Sequence, residues 1–290
     1  MKFVVLGGSG LVGSHVLSAA VAGGHATLGT TRSAGSPGLS QLELADETAT
    51  ARLLESAAPD VVVYAAGWTW VDGCESDPPR SRRENFEQPL SVARWCAARG
   101  VRMLYYSTSY VFDGTKGCYA EEDPVAPLNV YGRHKADAEK AISDVSGGSA
   151  LIARLICVWG REAARKNFAY QVAKVAQVGA TLVLPSDQYG NPTWAGDIAE
   201  WSVRLGERSA SGFWHLAGPS PEMSRLDWAA RIRRGLAASG RSDGVRLETK
   251  TTAELRPPAP RPLLAGMDTS KAQRFHPVAC REPDDLPADF

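Results

Sequence analysis

The amino-acid sequence predicts an α/β fold: a doubly wound parallel sheet with a smaller C-terminal lobe. Three features carry that reading. A short apolar run, KFVVLG (2–7), opens the chain and ends in a glycine-rich turn. Apolar runs of strand length then alternate with segments of helical period as far as residue 159, which implies right-handed crossovers between parallel strands. Hydroxyl, tyrosine and lysine side chains gather where the fourth strand gives way to the next helix.

The elements follow in order. KFVVLG is apolar on both of its faces, as a buried parallel strand requires. LVGSHVLSAAVAG (11–23) repeats its apolar residues at helical spacing. HATLGTT (25–31) is the second strand, and residues 47–57 are a helix. DVVVYAAG (60–67) is the third strand, 81–99 a helix, and VRMLYYST (101–108) the fourth strand. A helix over 130–145 and a strand, ALIARLICVW (150–159), complete the regular part. Beyond it come helices near 165–178, 195–206 and 224–238, short strands near 181–184 and 213–216, and the proline-rich PPAPRP (257–262). The expected layout is a nucleotide-binding domain over 1–160 and a substrate-binding lobe over 161–290, whose later segments are free to rejoin the sheet.

Composition narrows the function. Thirty-two basic residues balance 32 acidic ones, which argues against nucleic acid or an anionic membrane as partner. No run reaches the roughly 18 apolar residues of a membrane span, and MKFVVLGG meets glycine too early for a signal peptide. A cytoplasmic location is expected. The five cysteines lack C-x-x-C spacing and the five histidines lack ligand spacing, so no metal is expected.

The first turn reads Gly7-Gly8-Ser9-Gly10-Leu11-Val12-Gly13 between strand and helix. Glycines permit the tight turn and let backbone approach a pyrophosphate, while the helix N-terminus offers unpaired amides. Dinucleotide binding is the reading. At the end of the second strand an NAD site usually places an acid for the ribose hydroxyls. Here Thr30-Thr31-Arg32-Ser33 has none. Arg32 is of the right chemistry for a 2′-phosphate, and equally of the kind found solvated in a loop. NADP(H) is preferred, with NAD(H) possible.

Tyr131 and Lys135 are four apart on the helix over 130–145 and so share a face. Reducing a ketone takes a hydride at carbon and a proton at oxygen. A phenol of pKa about 10 is a poor acid–base group at neutral pH, and a neighbouring ammonium favours its phenolate. Thr108 stands at the carboxyl end of the fourth strand, where α/β sheets bind ligands, and its hydroxyl suits a substrate carbonyl.

The stretches AAGWTWVDGCESDP (65–78), YYSTSYVFDGTKG (105–117), PLNVYGRHKADAEKAI (127–142), KNFAYQV (166–172) and DQYGNPTWAGDIA (187–199) resemble the extended short-chain dehydrogenase/reductases. Within these the dTDP-4-dehydrorhamnose reductase branch is the nearest pattern. The resemblance implies a Rossmann domain and hydride transfer from NAD(P)H to the 4-keto group of a nucleotide-linked deoxysugar. It carries the family's triad onto Thr108, Tyr131 and Lys135. Its nucleotide contacts fall on Gly7, Gly10, Leu11, Val12 and the Ala65-Ala66-Gly67 turn.

The sequence departs from the family where substrate contacts are expected. Ser109 stands where the family has an aspartate, and Cys157 where it has a tryptophan. The loop after the third strand carries Trp68, Thr69 and Trp70. These indoles suit stacking on a flat or apolar substrate, or loop packing, or a homodimer contact. Gln188 belongs to the family's Q-x-G-x-P-T segment beside the cleft, and Arg261 is placed by analogy near a substrate phosphate, or is simply exposed. Asp72 and Glu75 read as a solvated face. The substrate is therefore a small molecule, a modified deoxysugar or a natural-product tailoring substrate. The competing classes are an epimerase or dehydratase of nucleotide sugars, and a regulatory subunit like the β-subunit of methionine adenosyltransferase.

Overall fold

The computed structural model describes residues 1–34, 36–219, 222–241, 244–287 and 290. The first half runs β1 (Lys2–Leu6), α1 (Leu11–Ala22), β2 (Ala26–Thr31), β3 (Leu39–Gln41), α2 (Glu47–Ala57), β4 (Val61–Tyr64), α3 (Val71–Ser76), α4 (Pro78–Arg82), α5 (Gln88–Arg99), β5 (Arg102–Thr108), α6 (Val130–Val145) and β6 (Leu151–Leu155). The second half continues with β7 (Val158–Trp159), α7 (Phe168–Gln177), β8 (Thr181–Pro185), β9 (Tyr189–Gly190), β10 (Thr193–Trp194), α8 (Ala195–Glu207), β11 (Gly212–His215), β12 (Met223–Ser224), α9 (Arg225–Ala238), β13 (Arg246–Lys250), α10 (Thr252–Leu255) and α11 (Ser270–Phe275).

Seven strands form one sheet in the order β11-β6-β5-β4-β1-β2-β3, every pairing parallel. The order reverses between β1 and β4, and the crevice above their carboxyl ends is the position such sheets give to ligands. Alternate residues of β1 serve opposite faces. Phe3 and Val5 pack with Val16, Ile198 and Trp201 from α1 and α8, while Val4 and Leu6 pack with Leu54, Val92 and Ile142 from α2, α5 and α6. Coverage on both faces is why these strands read as unbroken apolar runs.

The outer lobe has its own core, with Trp159, Val172, Leu184, Trp228 and Ile232 fully or almost fully buried. Its strands are short pairs: β8 with β13, β9 with β12, and β7 with β10. The chain nevertheless returns from this lobe to the main sheet, since β11 pairs with β6 from Gly212↔Leu151 to His215↔Arg154.

Several expected elements differ in detail. The expected helix over 81–99 is the end of a longer helical run. Asp77 caps α4 by accepting from the Arg80 N–H, with prolines at its first positions. A π-helical turn, Arg83–Glu87, then joins α4 to α5. Pro89 explains that turn: it has no N–H to return to the Asn85 carbonyl, which accepts from the Tyr105 hydroxyl at 3.2 Å instead. The strand expected over 150–159 breaks at Cys157, whose φ is +48°, leaving β6 and β7. Strands β3 and β13 were not anticipated. Both are at sheet edges, and LSQ and RLETK carry too few apolar residues to announce strands.

Candidate active site

A cleft of about 590 Å³ opens above the carboxyl ends of β1, β4, β5 and β6. One wall is backbone. Gly7 has φ +89°, and a Cβ there would lie 2.8 Å from the Ala66 nitrogen, so only glycine lets the first turn meet the Ala65-Ala66-Gly67 turn. Gly10 precedes α1 without a side-chain cap, which leaves the first amides of that helix open to an anion. Gly10, Leu11, Val12, Ala65, Ala66 and Gly67 all face the cleft.

The other wall is side chain. Asn129 caps α6 by accepting from the Gly132 N–H at 2.8 Å, and Glu75 accepts from the Val130 N–H at 2.9 Å. A Cβ on Gly132 would lie 2.2 Å from the Tyr110 carbonyl oxygen. The first turn of α6 therefore lies against the loop after β5, and this approach brings the Tyr131 phenol and the Thr108 hydroxyl into the same cleft, near enough for Thr108 to act on the phenol. Both residues are buried and both line the cleft. Burial pushes the Tyr131 phenol above its ordinary value, and Thr108 only partly offsets this.

Lys135 follows one turn later and is 5% exposed. Its ammonium donates to the Tyr106 carbonyl and lies 4.2 Å from the centre of the Tyr105 ring, not on the phenol of Tyr131. Burial pushes Lys135 down to about 7, opposed by the carboxylate of Glu139.

Ser107 and Ser109 also line the cleft, and the hydroxyl oxygens of both are buried without a hydrogen-bond partner. An unpaired buried hydroxyl costs free energy, and these two, with the Asn167 Oδ1, are unpaired polar atoms of residues that line the cleft. Thr69, Cys157 and Gln188 stand at the same end. Gln188 is engaged, donating from Nε2 to Thr252 Oγ1 at 3.0 Å, and burial raises the Cys157 thiol, which keeps it neutral.

Gly7, Ser9, Arg32, Trp68 and Arg261 lie outside the wall of the cleft. Ser9 is exposed on the turn. Arg32, at the end of β2, has a side chain 66% exposed and 4.0 Å from Glu84. Trp68 lies under the Arg80 guanidinium, 4.1 Å from its ring centre, and edge-on to Trp70, which is 65% exposed. Arg261 donates to Asp72 at 2.7 Å, with its other terminal nitrogen buried and unpaired. Asp72 and Glu75 are thus not a solvated face: the first tethers residues 259–261 and the second holds the start of α6.

Asn85, Arg225 and Asn167 are among the lining residues that the sequence reading does not single out. Asn85, on the π-helical turn, is 1% exposed. It exchanges two 3.0 Å hydrogen bonds with the Trp68 backbone, which pins the turn after β4. The proline four residues later was the available signal. Arg225 faces the cleft over the rings of Phe168 and Trp228. Asn167 keeps a buried, unpaired Oδ1 beside it. Asn167 lies in the KNFAYQV stretch that carries the resemblance, whereas nothing in the local pattern marks Arg225. Among the described residues no group of three or more His, Cys, Asp or Glu is arranged to hold a metal ion, and no helix is long and apolar enough to cross a membrane.

Compared with known proteins, residues 1–282 match the family described as RmlD substrate binding domain. A probable low-salt glycan biosynthesis reductase, Agl14, of Haloferax volcanii is 34% identical over 298 residues, covering 99% of this chain and 97% of its own. A dTDP-4-dehydrorhamnose reductase of Burkholderia thailandensis is 36% identical over 220 residues, 73% of this chain and 70% of its own. The crystal structure of dTDP-4-dehydrorhamnose reductase from Bacillus anthracis in complex with NADP has a TM-score of 0.86. It matches 98% of this chain and 96% of that one at 19% identity, a likeness of fold.

Proposed function

Because this chain belongs to the RmlD substrate-binding-domain family, we propose that it is an NADPH-dependent ketoreductase acting on a nucleotide-linked 4-keto-deoxysugar. A related natural-product ketone is the variant that the exchanges at Ser109 and Cys157 suggest. The observation that carries the reading is the gathering of Thr108, Tyr131 and Lys135 in one cleft that also holds the glycine turn before α1 and the Ala65-Ala66-Gly67 turn. The NADP bound by the Bacillus protein is of a kind that these turns suit, and the orphaned Ser107 hydroxyl supplies a further polar contact.

The reduced nicotinamide supplies the hydride when bound. The chain supplies the rest. Thr108 and Tyr131 hold the substrate oxygen between two hydroxyls, and the Tyr131 O–H gives its proton to that oxygen as the carbonyl carbon becomes tetrahedral. Burial keeps the phenol protonated until then, the state an acid needs in the reductive direction. Lys135 holds positive charge beside the phenolate that remains and is placed to order a ribose hydroxyl. Arg32 meets the 2′-phosphate, its exposed guanidinium being free to swing from Glu84.

The test follows NADPH absorbance with dTDP-4-keto-6-deoxysugars, beside NADH and a Tyr131→Phe control. Turnover that disappears in the control is expected. Tight NADPH binding without turnover of any such sugar sinks the sugar assignment, and turnover that survives in Tyr131→Phe sinks the assignment of the acid.

A further inference from the structure

Two buried charges lie behind the lysine, on the side away from the cleft. The side chains of Glu139 and Arg154 are each 3% exposed. Arg154 donates from Nε to Glu139 Oε1 at 2.9 Å and from one terminal nitrogen to Oε2 at 2.8 Å, a bidentate pair. Its other terminal nitrogen donates to the Glu121 carbonyl at 3.0 Å, and rings of Phe112 and Phe213 lie 5.0 and 4.7 Å away. A buried pair of this kind is poor evidence for stability, because desolvation offsets the attraction and apolar replacements often serve as well.

Its placement suggests another use. Tyr131, Lys135 and Glu139 succeed one another at four-residue spacing along one face of α6. The carboxylate is thus one turn from the lysine on its own helix, whereas the guanidinium belongs to β6, and of the two charges it is Glu139 that acts on Lys135. Glu139 favours the charged lysine against the effect of burial.

The other groups near Lys135 are neutral or engaged. They are Tyr131 on α6 and, on β5, the Tyr105 ring and the Tyr106 carbonyl. Of the charges on the helical run from α3 to α5, Asp72 pairs with Arg261, Glu75 accepts from the Val130 N–H, Glu84 pairs with Arg80 and Glu87 with Arg82, and Arg83 and Arg94 are exposed, while His134 of α6 meets Ser81. Around the pair itself, His215 of β11 lies 3.4 Å from Arg154 and is held down to about 3 by burial and that guanidinium. The Glu121 carboxylate accepts from the His215 N–H, with Lys271 acting on it.

We propose, resting on the ketoreductase reading above, that Glu139 and Arg154 form a positioning pair whose carboxylate end keeps Lys135 an ammonium at working pH. Arg154 fixes the orientation of the carboxylate, and Glu139 supplies the field. Neither touches substrate or cofactor.

The test titrates Lys135 directly, through the 13C shift of its Cε in lysine-labelled protein, with Lys135→Arg giving the assignment. The pH dependence of kcat is measured in parallel. In Glu139→Gln, and in the apolar double variant Glu139→Leu/Arg154→Met, the Lys135 midpoint is expected to fall by about one pH unit or more. The alkaline limb of kcat should move down in step, with KM changed less than about twofold, and Glu139→Asp should keep the midpoint near wild type. If the single variant fails to fold, the double variant decides. A folded double variant whose midpoint and alkaline limb match wild type overturns the proposal. Absence of wild-type turnover overturns the ketoreductase reading instead, and the NMR midpoint still judges the pair.

Discussion

The two ends of the cleft are made of different material. At the end proposed for the cofactor the wall is backbone, with glycines and alanines holding two turns against each other. At the end proposed for the substrate it is side chain, with two hydroxyls left unpaired, a tyrosine pushed above its ordinary pKa and a lysine pushed below its own, both by burial. A backbone wall fixes shape and responds to any added atom. A side-chain wall fixes charge and hydrogen bonding and responds to chemistry at constant shape. Substitutions should therefore separate the two ends, one changing cofactor affinity and the other turnover or substrate affinity.

The largest effect is expected at the chemical end. Tyr131→Phe should lower kcat about a hundred- to ten-thousand-fold while NADPH titrates as before, and a comparable loss of cofactor affinity would blur the division. Gly7→Ala attacks the turn that backs the other wall, where it meets Ala65 and Ala66. Its φ of +89° and the 2.8 Å approach to Ala66 should cost about 1–3 kcal/mol of stability. NADPH affinity, followed by fluorescence titration, should weaken while kcat at saturation moves much less.

Ser109→Ala sharpens the comparison, because it removes an unsatisfied buried hydroxyl. The melting temperature should hold or rise, whereas KM for the keto-sugar rises about tenfold. A fall of several degrees would mean the hydroxyl already has a partner. Lys135 gives a pH signature. Its folded-state pKa of about 7 lies below the ordinary 10.5, so between those values the unfolded chain binds the extra proton and stability rises with pH. Denaturant melts of the cofactor-free protein should show that rise, and Lys135→Met should flatten it. The smallest effect is expected at Trp70, which is 65% exposed: Trp70→Ala should change stability by less than about 0.5 kcal/mol.

The same division explains what could be read from the sequence. The cofactor wall was legible because its requirements are local: a glycine turn joining β1 to α1 is visible in seven letters. Tyr131, Lys135 and Thr108 were legible from their positions on one helix face and one strand end. Asn85, Asn167 and Arg225 were not, because each reaches the cleft through a π-helical turn or from the outer lobe. Asp72 and Glu75 look like surface acids until the fold brings residues 259–261 and the start of α6 to them. Trp68 was read for its ring, yet its backbone is what the site uses, gripped by Asn85.

The return of β11 to the main sheet has a consequence for how the protein is made. Strand β6 gains its outer neighbour only from residues 212–215, and the helix covering β1 on one face, α8, lies just before them. During synthesis the sheet therefore waits, half clothed, while about fifty residues of the outer lobe leave the ribosome. Through most of that interval Phe3 and Val5 have only α1 against them, until α8 emerges, and the edge of β6 stays open until β11 follows. A chain arrested before β11 would be a client for chaperones rather than a folded half.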